Sequence, residues 1–273
     1  MATFSSLRRV ANPDHARNRL AYESAARVGR YRSAAGLFPA EDVLFRRHIA
    51  RGATVLDIGV GGGRTTEWLA AEAGRYVGVD YSAAMVDACR ERFPNVDVRV
   101  ADATDLSEFP DDSFDVVVFS FNGIDCIVPE AARIACLREM SRVVRPDGTV
   151  IFSSHRPFVL VAPVGALRAA SWRLRAARVA RGLKSAGGFI VQLASSPDLW
   201  DGAGYYRDRT QAGNLLYAAT PRRVAAQVRE AGLDVVDQAG VNGIGTPWWR
   251  TVFTYYVCRP VAASQGLEPH ATA

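Results

Sequence analysis

Lysine is almost missing from this chain: Lys184 is the only one among 33 basic residues. The skew has the look of a GC-rich coding bias and carries little physics. Cysteine is sparse as well. Cys89, Cys126, Cys136 and Cys258 form no Cys-x-x-Cys pair and have no histidines at ligand spacing, which argues against a structural zinc site and a disulfide framework. They read as small buried hydrophobes in a reducing cytoplasm. No apolar run approaches the ~18 residues of a membrane-spanning helix. Met1 to Val10 has two arginines with no apolar run behind them, so neither a signal peptide nor a clear transit peptide is expected, and the expected location is cytoplasmic. What is present is ordinary globular material, 49% hydrophobic and 22% charged over 273 residues. That is room for one large domain, or a domain plus a lid.

The formal net charge of +5 is unevenly spread. Residues 1–50 carry +5, 51–155 carry −7, 156–220 carry +6 and 221–273 carry +1. Basic arms flanking an acidic segment point either to an anionic partner or to arms that dock on that segment.

Between Thr54 and Phe152 short apolar runs alternate with helical patterns, as repeated βαβ units on a parallel sheet require. Strands are predicted at 55–58, 76–79, 96–100, 114–119 and 149–153, the fourth almost continuously apolar and therefore central. Helices are predicted over 64–73, after an N-cap at Ser82, and from Pro129, where Ile134, Leu137, Met140, Val143 and Val144 share a face. Pro146-Asp147-Gly148 reads as the turn feeding strand five. Later, Thr220 is expected to cap a helix opened by Pro221 and ended at Gly232. Strands at 233–236 and 251–258 follow with no helix between them, hence antiparallel. Asn12 to Arg51 reads as one or two helices, and 156–219 is an insert too long to be a plain loop, with a helix predicted over 166–184 and extended segments at 189–193 and 205–217. The resulting division is an arm at 1–51, a core at 52–155, a lid at 156–219, completion of the core at 220–260 and a fraying tail at 261–273.

The chemistry is concentrated in the first half. Asp57-Ile58-Gly59-Val60-Gly61-Gly62-Gly63 follows the first strand and opens a helix, so a ligand can approach main-chain N–H groups with no Cβ in the way. It lacks the lysine of a P-loop. Asp80 ends the second strand, where a carboxylate can accept both hydroxyls of a ribose. Asp102-Ala103 ends the third, where an acid can accept from an exocyclic adenine amine. All three acids fall at carboxyl ends of neighbouring strands, the ligand-binding edge of open α/β sheets.

The segments VLDIGVGGGR, GVDYSAAMV, ADATDL, FDVVVFSFNGID and LREMSRVVRPDGTVIF, in this order, resemble a class I S-adenosylmethionine-dependent methyltransferase over about a hundred residues. The resemblance implies a Rossmann-like, doubly wound α/β fold with a seven-stranded mixed sheet of order 3-2-1-4-5-7-6, an N-terminal helical arm and a lid insert after strand five. It implies S-adenosyl-L-methionine as cofactor. Gly59, Gly61 and Gly63 would wrap its methionyl part, Asp80 the ribose, and Asp102 with the Ala103 backbone the adenine. Tyr81 and Met85 would pack around ribose and adenine, and Asp57 would organise the glycine loop. Phe119 to Asn122, after strand four, would lie beside the methionyl group and the transferred methyl, with Phe121 and Asn122 as the cofactor-binding candidates. Tyr31, with Tyr22 as second choice, would close over the cofactor from the arm.

A hydroxyl acceptor benefits from a base, whereas an amine needs only to arrive neutral. His155, at the carboxyl end of strand five, is the histidine best placed for that role, with Asp125 a second candidate; His15, His48 and His270 have no supporting context. No metal is expected. The aromatics Phe158, Trp172, Phe189, Trp200, Tyr205, Tyr206, Trp248 and Trp249 favour methyl transfer to O or N of a small organic acceptor, and the coding bias suits bacterial specialised metabolism. An RNA or acidic carrier protein stays open because of the basic arms, as do a membrane surface and a non-catalytic cofactor-binding subunit. DNA is not expected. The glycine spacing disfavours a nicotinamide-dependent oxidoreductase.

Overall fold

Three helices, not one or two, precede the sheet: α1 (Pro13–Tyr22), α2 (Ala25–Ser33) and α3 (Pro39–His48). The computed structural model describes residues 13–157, 196–208, 214–245 and 251–261. The helical run breaks at Ser24, whose hydroxyl donates back to the Ala21 carbonyl, and again at Ala34, where ψ of 135° turns the backbone extended ahead of Gly36. Pro39 then supplies the first turn of α3, and Glu41 accepts from the Phe38 N–H at 2.7 Å.

Strands β1 (Thr54–Ile58), β2 (Arg75–Asp80), β3 (Asp97–Val100), β4 (Phe114–Phe119) and β5 (Val144–His155) pair in parallel in the order β3-β2-β1-β4-β5. Helices α4 (Thr66–Glu72), α5 (Ala83–Arg92) and α6 (Glu130–Val143) make the crossovers. Pro146 to Gly148 does not precede the fifth strand as expected but lies within it. Val144 already pairs with Phe114, and the register jumps to Thr149 opposite Val116.

Beyond a hairpin, β6 (Ala203–Asp208) and β7 (Asn214–Ala219), come α7 (Pro221–Glu230), β8 (Leu233–Gly240) and β9 (Phe253–Pro260). Strand β9 runs antiparallel between β5 and β8, so the core order is β3-β2-β1-β4-β5-β9-β8, the expected 3-2-1-4-5-7-6. The Thr220 side chain does not cap α7; its backbone N–H is held instead by the Gly202 carbonyl at 2.7 Å, and Pro221 brings no N–H to cap. The hairpin raises the strand count to nine. Because β9 holds one edge of β5, the His155–Ala218 pairing puts β7 on the other edge, where β4 has ended.

Alternation along the strands builds two cores. Leu56, Ile58, Val117, Phe119 and Phe152 face α6 and α7, while Val55, Val116, Val118 and Ile151 face α4 and α3, whose Leu44 and Phe45 are fully buried. Helix α3 is thus a layer helix of the sheet. Among the described residues no helix is long and apolar enough to cross a membrane. The segments predicted at 166–184 and 189–193 lie outside the described residues, as do Phe158, Trp172, Phe189, Trp248, Trp249 and His270.

Candidate active site

At the carboxyl end of β1 the chain turns through Gly59, Gly61 and Gly63, at φ 66°, 53° and 85°. These are left-handed values that suit glycine. Gly62 is held for a different reason: a Cβ there would sit 2.6 Å from the Tyr31 carbonyl and the Arg32 nitrogen, so the end of α2 rests directly on the loop. The Tyr31 ring covers Gly61, 3.1 Å from where a Cβ would be. From β2, Asp80 accepts the Gly61 and Ser82 N–H groups, each at 2.9 Å. Its burial pushes the carboxyl up to about 6. Asp57 stands behind the loop, accepting from Thr65 at 3.0 Å and Tyr76 at 2.9 Å, and burial pushes it up to about 7.

A cleft of about 400 Å3, counted to its open mouth, is lined by Gly59, Asp80, Tyr81, Asp102, Ala103 and Phe119, and on its far side by His15, Cys126 and Ile127. Asp102 is turned by bonds from the Thr104 N–H (2.9 Å) and hydroxyl (2.7 Å). The Tyr81 hydroxyl is buried with no hydrogen-bond partner in the structure. Asp57, Gly61, Gly63, Met85 and Tyr31 do not line this cleft. Gly63 packs on Cys89 and Phe93, and Met85 is buried in α5 with its N–H on the Ser82 hydroxyl.

Beside the cleft, the structure joins two residues that the sequence offered separately. Asp125, in a 3-10 turn at Gly123–Cys126, is fully buried, and its Oδ2 is 2.7 Å from both the Nδ1 and the backbone nitrogen of His155. Its Oδ1 accepts from the Ser154 hydroxyl at 2.7 Å and from Arg133 at 2.6 Å. Arg133 is itself wholly buried, bonded on to Gln227 at 3.2 Å and lying over the Tyr217 ring. In the neutral tautomer that gives its Nδ1–H to Asp125, the lone pair sits on Nε2 and accepts the Asn122 amide N–H at 3.3 Å.

The arm is locked to the site by a second buried cluster. Glu41 pairs both oxygens with Arg64, at 2.5 and 2.6 Å, and accepts from Tyr255 at 2.6 Å and from Ser120. Asn18 ties α1 down by bonding the Cys126 carbonyl (2.9 Å) and both backbone groups of Leu215 (2.8 and 3.1 Å). Among the described arm residues Arg32 pairs with Glu91 of the acidic segment, while Arg19 pairs with Glu23, Arg46 with Asp42 and Arg47 with Asp237.

The methyltransferase domain family matches residues 55–148, the stretch that carries β1 to the start of β5. A probable S-adenosylmethionine-dependent methyltransferase of Mycolicibacterium smegmatis is 30% identical over 195 residues, 69% of this chain and 72% of the relative. A demethylmenaquinone methyltransferase of a Mycobacterium species is 36% identical over 171 residues, 60% of this chain and 69% of the relative. This chain belongs to the S-adenosylmethionine-dependent methyltransferase family. The solved 1,6-didemethyltoxoflavin-N1-methyltransferase of Burkholderia thailandensis, with bound S-adenosylhomocysteine, shares the methyltransferase fold at a TM-score of 0.59 and 17% identity, covering 95% of this chain and 92% of that one.

Three features of the methyltransferase escaped the sequence reading. Arg133 had a visible signal, since it shares the apolar stripe of α6 with Leu137 and Met140 at helical spacing. Glu41 and His15 had none, because their partners lie on distant segments. The contact at Gly62 predicts a contrast between two glycines. Gly62→Ala is expected to lower the unfolding free energy by about 1–3 kcal/mol by forcing α2 off the loop. Gly29→Ala, in α2 with nothing within 4 Å of a new Cβ, is expected to raise it by roughly 0.5–1 kcal/mol. Urea unfolding of the pair measures both.

Proposed function

We propose that this methyltransferase moves a methyl group from S-adenosyl-L-methionine to a hydroxyl oxygen of a small organic acceptor, with His155 as general base. The observation that carries this reading is the Asp125–His155 pair beside the cleft, since an amine acceptor would need no such pair. The mycobacterial relative, a demethylmenaquinone methyltransferase by name, supports a small organic acceptor. Core segments 52–155 and 220–260 would carry the cofactor, while α1, α2 and the segment 156–219 would shape the acceptor side.

The donors and acceptors fit the cofactor. Asp80 and Asp102 are acceptors at neighbouring strand ends, suited to ribose hydroxyls and an adenine amine, and the orphaned Tyr81 hydroxyl awaits a polar partner. Gly59 would bring backbone close to the cofactor, and Ala103 would flank the base. Gly61 and Tyr31 would form the cover of the loop. Asp57, Gly63 and Met85 would support the loop and its helix from behind. Phe121 and Asn122 would face the acceptor. When bound, the cofactor supplies an electrophilic methyl on a sulfonium; the chain's own work is alignment and removal of one proton.

Asp80 gives this assignment a pH signature. A carboxyl held near 6 by burial gains two hydroxyl donors on binding, so the ligand prefers the ionised form and competes with the proton. Affinity for S-adenosylhomocysteine is expected to be level above pH ~7 and to fall up to tenfold per unit below the folded-state value. Asp80→Asn is expected to abolish that slope and to weaken binding at pH 8 by about 1.5–3 kcal/mol. Calorimetric titration between pH 5 and 8 tests both, and an unchanged slope in the variant removes Asp80 from the ribose site. The acceptor class is tested with methyl-labelled cofactor and a fractionated extract of the source cells. Label in the organic-soluble fraction supports a small molecule. Nuclease-sensitive label overturns it in favour of RNA.

A further inference from the structure

We infer that the acceptor is a planar aromatic ring bearing a hydroxyl with a second hydrogen-bond donor beside it, seated between Phe121 and His155. The inference rests on the methyl-transfer reading above and narrows its acceptor.

A row of rings crosses the carboxyl ends of β4 and β5 and the amino end of β9, which runs antiparallel to β5. The Phe121 ring lies 5.3 Å from Phe38 and 6.2 Å from Phe253, and Phe253 is 6.0 Å from the His155 imidazole. Tyr206, from the hairpin, stands edge-on to His155 at 6.3 Å and 88°. The base is therefore walled by aromatic faces and edges, which take a flat π-system by offset or edge-to-face contact and give a puckered saturated ring less.

The backbone at the exit of β4 is arranged for this presentation. Phe121 and Asn122 are consecutive non-glycine residues at φ 54° and 60°, a conformation rare for a bulky side chain and characteristic of positions retained for function. Glycine would meet the dihedral demand without strain. Phenylalanine instead leaves a large ring 41% exposed, 6.2 Å from the Tyr31 ring that covers the glycine loop.

Asn122 supplies the second requirement. Its side chain is buried, its Nδ2 is 3.3 Å from Nε2 of His155, and its Oδ1 has no partner among the described residues. A buried amide oxygen in this state is satisfied by a donor that a ligand brings. An entering hydroxyl displaces the Asn122 N–H from Nε2, which leaves Nε2 and Oδ1 as two acceptors for the ligand. A single hydroxyl satisfies one of them, and an aromatic ring with adjacent donors satisfies both. In the reaction the hydroxyl oxygen bonds to the methyl carbon as that carbon's bond to sulfur breaks. The hydroxyl proton passes to Nε2, and the products are an aryl methyl ether and S-adenosylhomocysteine.

The test is calorimetric titration of the S-adenosylhomocysteine-saturated protein with three probes: 2,3-dihydroxynaphthalene, 2-naphthol and decahydro-2-naphthol. The diol is expected to bind tightest, 2-naphthol about tenfold more weakly, and the saturated alcohol a further tenfold or more below it. Phe121→Gly, which suits the local φ, is expected to collapse the preference for aromatic over saturated. Asn122→Gly is expected to erase the preference of diol over monophenol. Equal affinity for 2-naphthol and its saturated analogue in the unmodified protein overturns the proposal whether or not the variants fold, as does a diol preference that survives Asn122→Gly. Label from the extract assay appearing in an aliphatic ether overturns the aromatic acceptor while leaving methyl transfer intact. Tight binding of the diol in the expected order without its methylation supports the aromatic seat and counts against the proposed base.

Discussion

Arg133→Met is expected to cost about 3–5 kcal/mol of unfolding free energy, the penalty of leaving a buried carboxylate without its cation. Asp125 has no exposed surface and keeps only Ser154 and His155 as donors once the guanidinium is gone. The loss also spreads outward, because Arg133 donates to Gln227, which in turn donates to Glu130 and Tyr217 at 2.6 and 2.7 Å. Urea unfolding of Arg133→Met, Asp125→Asn and the double variant separates the terms. The double variant is expected to be less destabilised than the two singles added together, since neutralising both partners removes the uncompensated charge. A single variant within about 1 kcal/mol of the parent would mean that the neutral donors carry the carboxylate alone.

His155→Ala is expected to lower kcat by about 10²- to 10⁴-fold for a hydroxyl acceptor, the range for a positioned general base. Affinity for S-adenosylhomocysteine should stay within about twofold, because His155 does not line the cleft that holds Asp80 and Asp102. The split between turnover and cofactor binding separates a base from a structural histidine. Full activity in the variant assigns His155 to packing against Phe253 and Tyr206.

The legible part of this molecule is the part written in local backbone physics. The glycines at 59, 61 and 63, the acids at strand ends and the alternation of apolar runs each follow from a few consecutive residues, and the sheet order came with the family resemblance those residues carry. Asp125 and His155 could be named singly but not joined. Their contact depends on how a 3-10 turn after β4 meets the end of β5, 30 residues away. Arg133 hid in plain sight as a charge on an apolar stripe. Glu41 was illegible, since the hydroxyl of Tyr255 that helps hold it lies 214 residues downstream. The arm was read as one or two helices, whereas the break after Ala34 and the start at Pro39 add a third.

Asn18 joins α1 to Leu215 across 197 residues of chain. A ribosome adds ~5–20 residues per second, so the first helix waits on the order of 10–40 s for the strand that will clasp it. Until then the wall that carries His15 is clasped at the Cys126 carbonyl and lacks the hairpin on its other side. A cleft clasped on both sides is therefore a late product of synthesis, present only once the hairpin has been made.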